Sequence, residues 1–288
     1  MGIVETRRGF LVTLVASVLS GLLMVAVPGS AAAQAGTRRI AAQTITPADL
    51  PGPLDDVIFR PTVMVRKGNS RGSGTIIASA KGRSLILTAA HVIDGPGQAA
   101  IELHRFNLGI EGRKLGGSWP KVIPATIVAA DLDADVAVLL VEGLARLPHV
   151  ARLDASLADP LPEGFPVTSV GIDQASDLNS WDSKIRGTAL LSRNLADEGG
   201  SAFTSPSQDQ GRAPPRDPRL FVITEHPPIQ GRSGGGLYSS DGRLLGVCVG
   251  RIEVKSTRGE ERAIGLFASG QSIQRVLEQL DQSNSRPN

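Results

Sequence analysis

Short runs of apolar and β-branched residues, separated by turn residues, occupy most of the chain between residues 61 and 267. Such runs have the length of β-strands and are too short for typical helices. Thirty-three glycines and 19 prolines supply the turns between them. Six runs precede five more, which predicts an all-β protein of two small barrels in tandem. The first set is 61–66, 74–78, 84–87, 99–103, 122–128 and 136–141, and the second is 165–171, 185–191, 220–224, 244–249 and 263–267.

The composition is that of a folded protein without an obvious charged partner. Of the 288 residues 41% are hydrophobic and 20% are charged, enough for a substantial core, so disorder of the whole chain is excluded. Thirty Lys and Arg residues face 28 Asp and Glu residues without a long basic run, so we expect no nucleic-acid partner. Cys248 is the single cysteine, so no intramolecular disulfide and no thiolate metal cluster can form.

The N-terminal segment has the layout of a signal peptide. Arg7 and Arg8 precede an apolar stretch at 10–27, and small residues follow up to Ala33. This pattern predicts a signal peptide over 1–33 and an exported protein, periplasmic or secreted. The arginine pair also resembles a twin-arginine signal, and the Sec route stays open. An uncleaved membrane anchor is the alternative, because the stretch approaches the ~20 residues that span a bilayer.

The rest of the chain divides into a linker, one folded domain and a short tail. Ile273, Val276, Leu277 and Leu280 have helical spacing and predict a closing amphipathic helix. The predicted boundaries are 34–55 for a leader or linker, 56–281 for the domain and 282–288 for the tail, with a first barrel at about 56–150, a second at about 160–268 and the helix at about 269–281.

One segment, 195–219, carries four prolines together with glycines and serines. It is therefore predicted to be a long loop without a strand. It interrupts only the second half of the domain.

One histidine comes just after an apolar run, and one aspartate directly precedes another. Both positions suit catalysis. His91 comes just after the run at 84–87, beside the small residues Ala89 and Ala90, which leave room for an imidazole to approach a nucleophile. Asp135 directly precedes the run at 136–141, so its carboxylate can be buried and still face the imidazole. Such a carboxylate fixes the histidine tautomer and stabilises the imidazolium.

A serine framed by glycines completes the set. Ser233 lies in the sequence Gly231-Arg-Ser-Gly-Gly-Gly-Leu. The glycines permit backbone angles that aim neighbouring N–H groups at one point. The N–H groups of Gly231 and Ser233 would then form an oxyanion hole. Each of these motifs is weak alone, and together they predict a Ser-His-Asp triad.

The chain resembles the trypsin-like serine peptidases, and among them the bacterial HtrA/Deg type. TAAHV at His91 is similar to the histidine motif of that family, DVAVL at Asp135 to its motif DLAVL, and GRSGGGL at Ser233 to GNSGGAL. The resemblance covers roughly 56–281 and implies two perpendicular six-stranded antiparallel barrels of the chymotrypsin type, with the triad between them. It also implies a serine endopeptidase that needs no cofactor or metal.

Three features depart from the family pattern. HtrA proteins normally carry PDZ domains after the protease, and the residues after 281 are too few for one. The loop at 195–219 stands where the family has regulatory loops. Arg232 replaces the family's asparagine, which predicts nothing about activity.

The pocket for the side chain before the cleaved bond is interpreted by position. Pro227, six residues before Ser233, stands where relatives that cleave after Lys or Arg have a carboxylate. Val247 and Val249 would form the opposite wall. A neutral pocket of this kind favours small or aliphatic side chains in a polypeptide substrate.

His104 and His149 match no motif and form no ligand-spaced cluster, so they are interpreted as surface or core residues.

A catalytically silent binding or scaffold protein of the cell envelope, with the same fold, is the alternative to an enzyme. The physiological substrate and the oligomeric state cannot be derived from the sequence.

Overall fold

The computed structural model of the chain describes residues 52–109, 120–154, 160–194, 202–204, 218–255 and 261–284. The predicted signal peptide, most of the predicted linker and the end of the predicted tail lie outside these ranges. No helix within them is long and apolar enough to cross a membrane.

The first barrel contains six antiparallel strands in the order β1-β2-β3-β6-β5-β4, closed by pairing of β4 with β1. Its interior is aliphatic, as shown by Val63 and Val65 of one strand and Ile101 of its neighbour, all of which are fully buried. The alternating apolar residues of each short run therefore point inward, as the sequence predicts. The strands are β1 (Thr62–Lys67), β2 (Ser70–Ala80), β3 (Arg83–Thr88), β4 (Ala99–Leu103), β5 (Lys121–Asp131) and β6 (Val136–Glu142).

The second half forms an eight-stranded sheet with the order β10-β9-β11-β14-β13-β12-β8 and with β7 paired to β13. Because β8 also pairs with the first half of β9, the six strands from β9 to β8 form a closed ring. The strands are β7 (Arg152–Leu153), β8 (Pro166–Asp173), β9 (Asp177–Asn194), β10 (Ala202–Thr204), β11 (Arg219–Thr224), β12 (Gly236–Ser239), β13 (Arg243–Lys255) and β14 (Glu261–Ser269).

The closing helix α2 (Gly270–Asn284) contacts both halves of the molecule. Its residues Ile273 and Val276 are fully buried in a core cluster that also contains Val138 of the first barrel and Val170 of the second. It contacts β5 and β6 on one side and β11, β13 and β14 on the other. The predicted fold class, all-β with a C-terminal helix, is confirmed.

Helix α1 (Gly52–Ile58) and strand β10 lie where the sequence predicted a linker and a loop. Helix α1 begins inside the predicted linker 34–55, because Leu54, Val57 and Ile58 have helical spacing and pack against the core. Strand β10 lies inside the segment 195–219 that was predicted to contain no strand: its three residues precede the first proline and pair with the end of β9. The remaining parts of that segment, 195–201 and 205–217, lie outside the described residues.

Candidate active site

His91 lies in a short 3-10 helix, Ala90–Ile93, that follows β3 after one residue. Ala89 and Ala90 are buried, and the His91 side chain is 22% exposed. The small residues let the helix pack against the barrel while the imidazole stays partly exposed.

Asp135 holds this histidine with two hydrogen bonds. One carboxylate oxygen accepts the backbone N–H of His91 at 2.8 Å, and the other lies 2.6 Å from His91 Nδ1. An ionised carboxylate only accepts, so Nδ1 carries the proton and Nε2 presents a lone pair. Asp135 is fully buried and has a left-handed backbone, with φ of 58°. Its own carbonyl accepts the N–H of Ala90 at 3.1 Å, which fixes the histidine and the aspartate as one unit.

The turn before Asp135 is fixed by a second aspartate and by the second barrel. Oδ1 of Asp131 accepts the N–H groups of Asp133 and Ala134 at 3.1 and 3.0 Å. Its Oδ2 lies 2.9 Å from Nε of Arg219, the first residue of β11. Arg219 also approaches Asp133 at 3.7 Å, so one guanidinium from the second barrel holds the turn that carries Asp135.

Ser233 lies in the turn between β11 and β12, against the segment that carries His91. A Cβ on Gly234, whose φ is 85°, would lie 2.4 Å from Oγ1 of Thr88 and 2.9 Å from the nitrogen of Ala89. Only glycine permits this approach. The Ser233 hydroxyl donates to the carbonyl of Val249 at 3.3 Å. Among the described residues this carbonyl, and not the His91 ring, is its hydrogen-bond partner.

The two predicted oxyanion donors are available. The carbonyl of Gln230 accepts the N–H of Gln174 at 2.7 Å, so in the same trans peptide the N–H of Gly231 points away from that residue. Within the described part of the chain, neither the Gly231 nor the Ser233 N–H donates a backbone hydrogen bond outside the regular elements.

Ser73, in β2, is a residue of the site that the sequence analysis did not identify. Its N–H donates to the carbonyl of Ser233 at 2.7 Å, and its hydroxyl donates to the carbonyl of Gly231 at 2.9 Å. The same hydroxyl accepts the N–H of Ile172 at 2.7 Å. Ser73 is fully buried and ties the first barrel to the serine turn at two points. The only signal of Ser73 in the sequence is its place between two glycines at the start of the predicted run at 74–78.

The three residues predicted to line the substrate pocket differ in exposure and in which of their atoms reach the site. Pro227 is partly exposed in the loop before Ser233. Val249 reaches the site through its carbonyl. Val247 is 1% exposed and belongs to the core shared by the two barrels, so its side chain offers no open surface to a substrate. Val249, two residues further along β13, belongs to the same core cluster and is 6% exposed.

Three further residues with titratable side chains, Cys248, His104 and His149, lie outside the proposed triad. Burial raises the pKa of the Cys248 thiol well above its ordinary value, so the sulfur stays protonated. His104 is buried, and the His149 side chain lies 3.5 Å from Asp56. No cluster of His, Cys, Asp and Glu that could hold a metal occurs among the described residues.

Three solved protease structures have a similar fold. The active form of the Rv3671c protease from M. tuberculosis is 21% identical and has a TM-score of 0.54, with 89% of this chain and 94% of that chain covered. An inactive form of the Rv3671c protease is 22% identical with a TM-score of 0.53, covering 81% and 96%. The HtrA-type protease AlgW, solved with a tripeptide, is 20% identical with a TM-score of 0.53, covering 80% and 63%.

The family is shown by the sequence itself. No curated protein matches the chain. The model of the trypsin-like peptidase domain, however, matches residues 72–247, which include the histidine, aspartate and serine motifs and more than half of the chain. The chain belongs to the trypsin-like peptidase family.

Proposed function

We propose that the protein is a serine endopeptidase with Ser233 as nucleophile, His91 as general base and Asp135 as the residue that orients the histidine. The observation that carries this proposal is the buried Asp135 carboxylate, which is hydrogen bonded to both the ring and the backbone of His91. A buried carboxylate in this position serves no stability purpose that a neutral residue could not serve. It does stabilise an imidazolium that forms during acyl transfer.

The proposed reaction begins when the Ser233 hydroxyl leaves the Val249 carbonyl and turns to His91 Nε2. Nε2 takes the proton while Oγ attacks the peptide carbonyl carbon. The imidazolium gives its proton to the leaving amine, and the C–N bond breaks. Water then attacks the acyl-enzyme ester, His91 takes a proton from this water, and the ester bond to Oγ breaks with return of the proton to Ser233.

The N–H groups of Gly231 and Ser233 are proposed to bind the oxyanion of both tetrahedral intermediates. Their freedom from other backbone partners supports this role. Because the donors are fixed before the reaction, charge development requires little reorganisation.

We further propose a preference for small or aliphatic residues before the cleaved bond in a polypeptide substrate. Pro227 supplies no charge at the expected pocket base, and the neighbouring Ile229 is 50% exposed and apolar. A charged substrate side chain would lose its hydration without gaining a partner. Profiling with a peptide library tests this preference, and selection of Lys or Arg would contradict it.

Export is proposed on the sequence of residues 1–33 alone. Removal of the signal after Ala33 would give a mature chain beginning at Gln34. N-terminal sequencing of the protein from its native host tests this. A retained N-terminus would instead indicate a membrane anchor.

Labelling with a fluorophosphonate probe and peptide mapping tests the nucleophile. We expect the label on Ser233 in the wild type and none in Ser233→Ala. Ser180→Ala is the matched control, because Ser180 is buried in β9 and its hydroxyl has no hydrogen-bond partner among the described residues. A folded wild type that takes no label would contradict the proposal and favour a silent binding protein of the same fold.

A further inference from the structure

Arg232, between the two proposed oxyanion donors, is fully buried. A guanidinium is a cation, and an isolated charge in a protein interior is very costly. Arg232 therefore needs a complete set of partners. Its position beside a serine in a turn does not predict this burial.

All of these partners lie on strands β8 and β9. The guanidinium donates to both carboxylate oxygens of Asp173, from Nε at 2.8 Å and from Nη2 at 2.5 Å. Nη1 donates to the carbonyl of Ser169 at 2.8 Å. Cζ of Arg232 also lies 5.1 Å from the ring centroid of Trp181, which is within cation–π distance. The bidentate geometry fixes the orientation of the arginine as well as its position.

The backbone beside Arg232 packs against the tip of the same hairpin. Gln174 and Ala175 form the tip and both have positive φ, 50° and 56°. The N–H of Gln174 donates to the carbonyl of Gln230. A Cβ on Gly231 would lie 2.6 Å from the carbonyl oxygen of Ile172 and 2.8 Å from the Gln174 nitrogen. The hairpin tip thus determines the peptide plane that presents the Gly231 N–H.

A buried ion pair is a poor device for stability alone. Apolar residues of similar volume often stabilise as well or better, whereas loss of one partner leaves an unpaired buried charge. The pair between Arg232 and Asp173 is directional, however, and it joins the serine turn to the hairpin that orients the turn. An apolar pair would fill the space without fixing the rotation of the turn.

We propose that Arg232 and Asp173 are positioning residues that hold the N–H groups of Gly231 and Ser233 in the oxyanion-binding orientation. This inference rests on the proposed function of the site. The two residues touch neither the substrate nor the reacting atoms, and they act through the backbone of the serine turn.

The test compares four variants with the wild type. Arg232→Met and Asp173→Asn each break the pair, and the double variant Asp173→Leu/Arg232→Met replaces it by apolar side chains. Arg66→Met is the matched control, because Arg66 forms an ion pair of 2.6 Å with Glu102 on the first barrel, away from the serine turn. The measurements are kcat, KM, thermal unfolding, affinity for a peptide aldehyde, and hydrogen exchange of the backbone N–H groups of 229–236.

Loss of one oxyanion donor lowers kcat by about 100-fold or more, and we expect this scale for Arg232→Met, with KM within about threefold of the wild type. The aldehyde, whose hemiacetal oxygen binds the oxyanion donors, should lose affinity in parallel. Exchange within 229–236 should become faster in Arg232→Met and stay unchanged in Arg66→Met. The double variant should recover the unfolding temperature and not the kcat.

A double variant with wild-type stability and wild-type kcat would overturn the inference. If the double variant does not fold, Arg232→Lys tests the inference instead. This variant keeps the positive charge but lacks the planar guanidinium that forms the bidentate contact with Asp173. A drop in kcat of about tenfold or more at unchanged unfolding temperature supports positioning, and an unchanged kcat overturns it. A wild type that takes no fluorophosphonate label refutes the proposed function instead, and the exchange rates of 229–236 still show whether Arg232 holds the turn.

Discussion

The two barrels supply the site in different ways. The first barrel has an aliphatic interior and contributes His91 and Asp135, which are fixed by hydrogen bonds within the barrel. The second contains aromatic residues and a buried ion pair, and contributes Ser233 on a turn that needs outside support. Beside the hydrogen bonds within the first barrel, the turn that carries Asp135 needs one contact from the second barrel, the guanidinium of Arg219 on Asp131. A nucleophile with two aligned N–H donors requires polar ties that specify rotation.

The largest effect should come from the first-barrel pair itself. Asp135→Asn keeps the size of the side chain and presents an amide to His91, which favours the wrong tautomer. We expect kcat to fall by about 10⁴-fold with little change in unfolding temperature. Steady-state kinetics with a peptide substrate measure this. A decrease of less than tenfold would mean that His91 does not depend on Asp135.

Arg219→Met should have the next largest effect, because it breaks the contact that joins the second barrel to the Asp135 turn. Asp131 would keep a buried charge without its guanidinium partner, whose loss costs about 3 kcal/mol of unfolding free energy. Urea denaturation measures this loss. Arg83→Met, which breaks an exposed pair with Glu142, is the control and should cost less than about 1 kcal/mol. Equal losses in both variants would refute the prediction.

Ser73→Ala should produce a smaller loss, in stability and in rate together. The carbonyl of Gly231 and the N–H of Ile172 would lose their buried partner, at a cost of about 1 to 3 kcal/mol. The rate should also fall, because the serine turn loses one of its ties to β2. Ser180→Ala again serves as the control for removal of a buried hydroxyl. Wild-type kcat in a destabilised Ser73→Ala would show that Ser73 is purely structural.

The smallest effect should be a pH dependence of the first barrel. Burial lowers the pKa of His104 below its ordinary 6.5, and the Glu102 carboxylate opposes this only in part. The unfolded chain therefore binds a proton more readily than the folded chain. The contribution of His104 to stability is complete above pH 6.5 and is lost as the pH falls below that value towards the folded pKa.

Urea denaturation of the wild type and His104→Phe at pH 7.5 and 5.5 measures this dependence. The wild type should lose more stability than the variant between the two pH values. An equal loss in both proteins would assign the pH dependence to other groups.

The elements that sequence patterns predict best are those whose pattern is decided locally. Four of the six runs of the first barrel form strands within one residue of the predicted bounds, whereas β2 and β5 extend up to four residues further. The runs are recognisable because each buries alternate side chains. Strand β12 was missed because it is only four residues long, begins with the last of three glycines, and pairs with β13 and with the distant strand β8. His91, Asp135 and Ser233 were recognisable from their motifs. Arg232 and Ser73 were not, because their importance comes from contacts made across the fold.

The hydroxyl of Ser73 and the carbonyl of Gly231 meet across 158 residues of chain. Forming a contact between residues so far apart costs the entropy of closing the whole intervening chain into a loop. We therefore expect it to form after the local hairpins during folding. The strands on either side can form early, while the serine turn gains its tie only when both halves dock. Partly folded chains therefore carry all three residues of the proposed triad without the tie between the barrels, so the proposed activity would belong to the completed fold and to no fragment of it.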